Sequence, residues 1–284
     1  MFFLSPRCSP APITTPALLQ MQNTQLQLAG RVFGAFDLRI HAGEHIAILG
    51  PSGAGKSTLL KLCAGDLYPS AGRVQLQGKT LVHWSLSELS RLRAVLPQSS
   101  EVAFALPVEL MIALGRCARR YDPKQGQIVQ DAAQLACAQH LLGQRFDTLS
   151  GGEKARVQLA RVFAQLWDAE PGLLLVDEPL AALDPGLQFD LADAMHRFAQ
   201  RGGHALVAVL HDVNHALQHF QRLLLIKDGR LLADLPAHAD ARPQLEELYG
   251  IGFACAHSAT GQSVLIAQRR PALEENAARD ALCA

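Results

Sequence analysis

Apolar and polar residues alternate over residues 24–32 (TQLQLAGRV) and again over 34–40 (GAFDLRI), which predicts two antiparallel strands, each with one covered face. His41, Ala42, Gly43 and Glu44 supply the turn that follows. Residues 45–49 (HIAIL) replace the alternation with an apolar run, as expected of a strand buried on both faces. A glycine-rich loop and a helix over 56–64 come next, then strands over 73–77 and 93–96. From 108 to 142 the pattern turns helical, interrupted by the linker-like Arg119-Arg120-Tyr121-Asp122-Pro123. A further helix runs from 150 to 166. Apolar strands over 172–176 and 205–210 flank a helix over 187–200. Residues 222–226 and 230–233 read as a hairpin across Asp228-Gly229, a strong two-residue turn signal. A short helix over 242–249 and a strand over 263–267 complete the pattern.

Buried strands alternating with helices predict an α/β fold around a mostly parallel sheet covered on both faces. The early alternating strands form an antiparallel β-subdomain, and about residues 99–165 form an inserted helical subdomain. One domain over residues 21–270 is expected. Residues 1–20, with Pro6, Pro10, Pro12 and Pro16, read as a disordered extension that makes a poor signal peptide, and Met21 as an alternative start. Residues 271–284 read as a flexible tail.

Composition adjusts this picture in two ways. The 284 residues are 49% hydrophobic and 18% charged, against a usual charged share of about 25%. That excludes disorder, yet the longest apolar candidate, residues 102–115, is interrupted by Pro107 and Glu109 and falls short of the roughly 20 residues of a spanning helix. The surplus therefore points to apolar surfaces that other chains cover. Second, 26 basic residues balance 26 acidic ones, which argues against nucleic acid held by bulk positive potential. The six scattered cysteines show no metal-ligand spacing and read as reduced thiols.

Three motifs carry chemistry. Gly50-Pro51-Ser52-Gly53-Ala54-Gly55-Lys56-Ser57 matches GxxxxGK[ST] between a buried strand and a helix, where backbone N–H groups cradle phosphate at the positive end of a helix dipole. Thr58 continues that first turn. Lys56 suits the β- and γ-phosphates and the Ser57 hydroxyl suits Mg²⁺. Residues 173–176 (LLLV) lead into Asp177 and Glu178 at the strand end where open α/β sheets bind ligands. Asp177 would hold the metal and Glu178 would orient or deprotonate an attacking water. Ser150-Gly151-Gly152-Glu153, after Leu149, is a second glycine-rich helix start. It reads equally as an anion site and as a plain capping box.

Taken together, the phosphate loop, Gln98, LSGGE, LLLVDE, Asp184 and His211 occur in the order and spacing of ABC transporter ATPases, and the chain resembles that family over residues 25–266. The resemblance implies a RecA-like P-loop core, ATP and Mg²⁺, and a head-to-tail homodimer in which LSGGE of one copy covers the nucleotide of the other. It also implies that Gln98 touches Mg²⁺ and the attacking water, that Asp184 lies in the loop crossing the interface, and that His211 positions Glu178. The sequence departs from the family at Leu180, where threonine or serine is usual, and offers no clear adenine-stacking aromatic. Phe33 and Phe36 read as core. His215 and His219 form an i, i+4 pair on a helix, a spacing that suits a metal, but lack a visible third ligand.

Finer resemblance, in residues 93–98, 156–167, 209–216 and 245–253, is to haemin importers, ahead of ferric-siderophore and cobalamin importers. It implies two transmembrane permease subunits docked near residues 98–115, a periplasmic haem-binding protein beyond them, no nucleic acid, and a peripheral place on the cytoplasmic face of the bacterial inner membrane. A non-transport ABC ATPase would usually carry two nucleotide domains, and a small-molecule kinase would leave LSGGE and His211 without a role.

Overall fold

The computed structural model describes residues 16–98, 105–178, 183–257 and 261–269. The alternating start forms β1 (Leu19–Leu28) and β2 (Arg31–Ile40), with the reversal earlier than the pattern predicts. Ala29 and Gly30 have φ of 49° and 77°, so the single strand expected over 24–32 is the end of one strand, a turn and the start of the next. Alanine is uncommon at positive φ, so this turn carries no sequence signal. β1 also begins before Met21. Leu18 and Leu19 are buried, and Leu19 lies opposite Ile40 on one side and Leu76 on the other. A chain starting at Met21 would lose both contacts.

The remaining elements follow in chain order. After β3 (His45–Leu49) and α1 (Lys56–Ala64) come β4 (Ala71–Leu76), β5 (Lys79–Thr80), α2 (Leu86–Leu92) and β6 (Arg93–Leu96). The helical region contains α3 (Val108–Ala113), α4 (Gln125–Leu135) and α5 (Gly151–Leu166). Then come β7 (Leu173–Asp177), α6 (Pro185–Gly202), β8 (Ala205–Val209), α7 (Val213–His219), β9 (Arg222–Lys227) and β10 (Arg230–Pro236). The chain closes with α8 (Arg242–Tyr249), β11 (Gly252–His257) and β12 (Ser263–Gln268). The pattern missed α2, β5 and β11. Ser85 caps α2 with a complete capping box, a local signal that the short, polar helix nevertheless hid.

Two main sheets result. One is antiparallel, in the order β2-β1-β4-β5; the other runs β10-β9-β3-β8-β7-β6 and is parallel except for β10 at its edge. All five residues of β3, β7 and β8 are buried, which is why they read as continuous apolar runs. Alternate residues feed two cores. Ile46 and Ile48 join Leu59, Leu62 and Phe36 on one face, whereas Ala47 and Leu49 join Val157, Phe163 and Leu191 on the other. The sheet is thus clamped between the β-subdomain with α1 and the helical layer.

The stretch 119–123 is not a loose linker. The Arg116 side chain, 1% exposed, donates to Asp122 and Asp168 at 2.6 Å each and to the Ala164 carbonyl at 3.0 Å. A buried guanidinium needs such partners, and these pin the connection between α3 and α4 onto the end of α5. Among the described residues, no helix is long and apolar enough to cross a membrane.

Candidate functional site

The loop from Gly50 to Gly55 links the end of β3 to the start of α1. Gly55, the helix cap, has φ of 102°, and a Cβ there would lie 2.9 Å from the Phe33 ring, so both backbone and space demand glycine. No side chain caps α1, leaving its first N–H groups without a side-chain acceptor, the condition for an anion site. Phe33 and Phe36 are buried, as expected of core residues. Lys56 is 5% exposed, and its ammonium donates to the carbonyls of Gly50 (2.9 Å) and Pro51 (3.1 Å). Burial lowers its pKa, while Glu178 and Asp177 oppose that shift.

Four neighbouring parallel strands aim their C-terminal ends at this loop. β3 leads into the loop, β7 ends in Asp177 and is followed by Glu178, Gln98 follows β6, and His211 follows β8. The Ser57 hydroxyl donates to Asp177 Oδ1 at 3.0 Å, and burial holds the Asp177 carboxyl above its ordinary range, partly offset by that hydrogen bond. Gln98 Nε2 donates to Glu178 Oε2 at 2.8 Å, and His211 Nε2 lies 2.6 Å from Glu178 Oε1. Glu178 itself has φ of 49°, a left-handed conformation costly for glutamate. Its N–H donates to the Val209 carbonyl, so the neighbouring strand holds the backbone there. Two side chains far apart in sequence thus meet on one carboxylate, beside a metal-compatible pair.

A second group assembles elsewhere on the chain. Ser150 caps α5 with a complete capping box, its N–H donating to Glu153 Oε2 at 2.8 Å. Asp184 caps α6, accepting from the Leu187 N–H at 3.0 Å. Ser150, Gly152, Glu153 and Asp184 line one surface groove, with His140 and Arg156 beside them and no phosphate-loop residue among them. A Cβ on Gly152 would lie 2.5 Å from Leu187 Cδ2, whereas one on Gly151 would meet nothing within 4 Å. Within the chain, then, the second glycine makes room for the end of the Leu187 side chain, and the first makes room for nothing. Leu180 and residues 99–104 of the expected permease-docking stretch lie outside the described residues.

Two features escaped the sequence. His196 Nδ1 lies 2.9 Å from His45 Nδ1, and the His219 ring is 6.0 Å from that of His196 and 4.6 Å from that of His215. Among the described residues, no three such groups are arranged to hold a metal. Burial, reinforced by its histidine neighbours, pushes His196 down to about 4. The other feature is Asn214, whose side-chain amide bonds the backbone of Leu265 in β12. Periodicity carries no trace of either.

A family model described as "ABC transporter" matches residues 33–181. The hemin import ATP-binding protein HmuV of Methylobacillus flagellatus is 42% identical over 237 residues, covering 81% of this chain and 88% of that protein. The protein of the same name from Pseudomonas aeruginosa is 44% identical over 216 residues, 75% of this chain and 84% of the relative. Among solved structures, an inward-facing putative metal-chelate type ABC transporter aligns with a TM-score of 0.76 at 21% identity, covering 90% of this chain and 99% of that one. An ATP-binding cassette dimer in a post-hydrolysis state, bound to ADP and Pi, aligns with a TM-score of 0.67 at 21% identity, covering 78% of this chain and 99% of that one. At that identity these structures attest the fold.

Proposed function

Because this chain belongs to the ABC transporter ATP-binding family, we propose that it hydrolyses ATP to drive haemin uptake through a separate permease. The observation carrying the catalytic part is the convergence of Gln98 and His211 on the two oxygens of Glu178. Glu178 takes the proton of the attacking water, a role for a carboxylate held in place from both sides. His211 orients that carboxylate and contacts the γ-phosphate. Lys56, whose buried ammonium donates to the loop carbonyls of Gly50 and Pro51, supplies the positive charge for the β- and γ-phosphates.

The residues also fit Mg²⁺. Ser57 and Asp177 offer two hard oxygen ligands 3.0 Å apart, the donor chemistry that this ion selects, with Gln98 close to the same carboxylate pair. Bound there, Mg²⁺ would neutralise charge on the phosphate oxygens. Asp177 would hold it through water and leave Glu178 free for the attacking water.

The groove lined by Ser150, Gly152, Glu153 and Asp184, with Gly151 at the start of the same helix, serves the nucleotide of a second copy, packed head to tail. Gly151 supports this reading, since its missing side chain answers no need of its own subunit. Two permease subunits complete the importer at the cytoplasmic face of the bacterial inner membrane, with a periplasmic haem-binding protein delivering cargo to them. Haemin is the cargo read from the relatives' names, because the ATPase does not touch what is carried.

The test is uptake into liposomes holding the chain with its permease and binding protein. ATP-dependent haemin uptake is expected, and it should be lost in Glu178→Gln while ATP binding persists, with turnover lower by about a thousandfold. Uptake of a ferric siderophore or cobalamin in place of haemin would overturn the cargo. Full turnover in Glu178→Gln would remove Glu178 from its role.

A further inference from the structure

The His211 imidazole must be placed accurately, yet its side chain is 53% exposed, so burial does not fix it. Its position follows from where α7 begins. Asp212 caps that helix, accepting from the N–H groups of Asn214 (2.7 Å) and His215 (3.2 Å), and α7 is only seven residues long. A helix this short holds its place through tertiary contacts more than through its own hydrogen bonds.

One such contact is specific. Asn214 Nδ2 donates to the Leu265 carbonyl at 3.0 Å, and Asn214 Oδ1 accepts from the Leu265 N–H at 2.8 Å. The amide thereby pairs with β12 as a neighbouring strand would. Leu265 is itself 3% exposed and part of the larger core, while β11 and β12 pair only with each other. A second tie, from the Phe253 N–H to Glu246 Oε1 at 2.8 Å, fastens the same hairpin to α8. The family match ends at residue 181, before any of these elements.

We infer that Asn214 is a positioning residue for ATP hydrolysis: it ties α7 to the C-terminal hairpin and so sets His211 against Glu178. This rests on the reading of His211 and Glu178 given above. Asparagine suits the task because one short side chain offers both a donor and an acceptor. Aspartate, its near isostere, cannot donate and would set a carboxylate against the Leu265 carbonyl.

The experiment compares ATPase kinetics and nucleotide affinity of Asn214→Ala, Asn214→Asp and His211→Ala. Both Asn214 variants should lose about tenfold in kcat, equivalent to about 1.4 kcal/mol on the barrier. KM for ATP and the dissociation constant of a fluorescent ATP analogue should stay within about twofold, since the phosphate loop is untouched. In single-turnover measurements, adding Asn214→Ala to His211→Ala should slow hydrolysis no further, because both act through one imidazole. Unchanged kcat in Asn214→Asp would overturn the inference. So would a parallel loss of kcat and nucleotide affinity, the mark of a merely structural residue, or an undiminished further loss in the double variant. Full activity in His211→Ala would instead overturn the reading on which the inference rests.

Discussion

The chain opens two helices with glycine-rich loops, and the two are finished to different degrees. At α1 the surroundings are complete within one copy: Lys56, Ser57, Asp177, Glu178, Gln98 and His211 converge from four parallel strands. That helix has no side-chain cap, and Gly55 is demanded by both its φ and the Phe33 ring. At α5 the helix is capped by its own Ser150 and Glu153, yet no lysine lines its groove, and Gly151 faces space the chain does not fill. A helix start that satisfies itself and still keeps an open glycine is suited to be read from outside. On the proposed reading, the first loop belongs to a reaction centre and the second covers the nucleotide of another copy.

Lys56→Ala breaks the first region most severely. ATP affinity should fall about a hundredfold, since hydrogen bonds from a charged donor are worth up to roughly 3 kcal/mol, and equilibrium binding of labelled ATP would show it. Gly151→Ala sharpens the contrast. Stability in urea should stay level or rise by up to about 1 kcal/mol, because alanine favours a helix over glycine. Turnover should nevertheless fall about tenfold if a partner's nucleotide packs there. Mixing the two variants should restore part of the activity, pairing an intact phosphate loop with an intact LSGGE segment; undiminished turnover in Gly151→Ala alone would dissolve the two-copy reading.

The smallest effect concerns the frame joining both regions. α6 starts at Asp184's cap and carries His196, whereas α7 follows His211 and carries His215 and His219. The His196 ring faces His45 on one side and stacks near His219 on another, with Asp193 and Asp212 acting on His215. His196 and buried His204 are both pushed from 6.5 down to about 4, chiefly by burial. The unfolded chain therefore binds more protons between those values. Stability is complete above about pH 6.5 and drains away as pH falls towards 4, by up to about 1.4 kcal/mol per unit for each histidine. Urea midpoints between pH 7.5 and 4.5 measure this, and a flat profile would show the rings to be ordinary.

Legibility in the sequence followed the range of the interaction. The phosphate loop, the apolar β3, β7 and β8, and the capping box at Ser150 are local patterns, and each stands where it was expected. The Ala29-Gly30 turn was hidden because its backbone carries an unadvertised positive φ at alanine. β11 was hidden because Gly252–His257 has little alternation of its own and is a strand only by pairing with β12. His211 and Gln98 were placed by resemblance, since no periodicity marks a lone residue after a strand.

By itself, the sequence determined the α/β class, the phosphate loop, the carboxylate pair and the absence of a spanning stretch, because each is written in neighbouring residues whose spacing matches a strand, a turn or a helix. Only the tertiary structure decided which distant side chains share an atom. Gln98 and His211 meet on Glu178, and Asn214 holds Leu265 across 51 residues. Such contacts depend on strand order and on helices laid against the sheet. Strand order arises from the balance of the whole core, which no single segment of the chain contains.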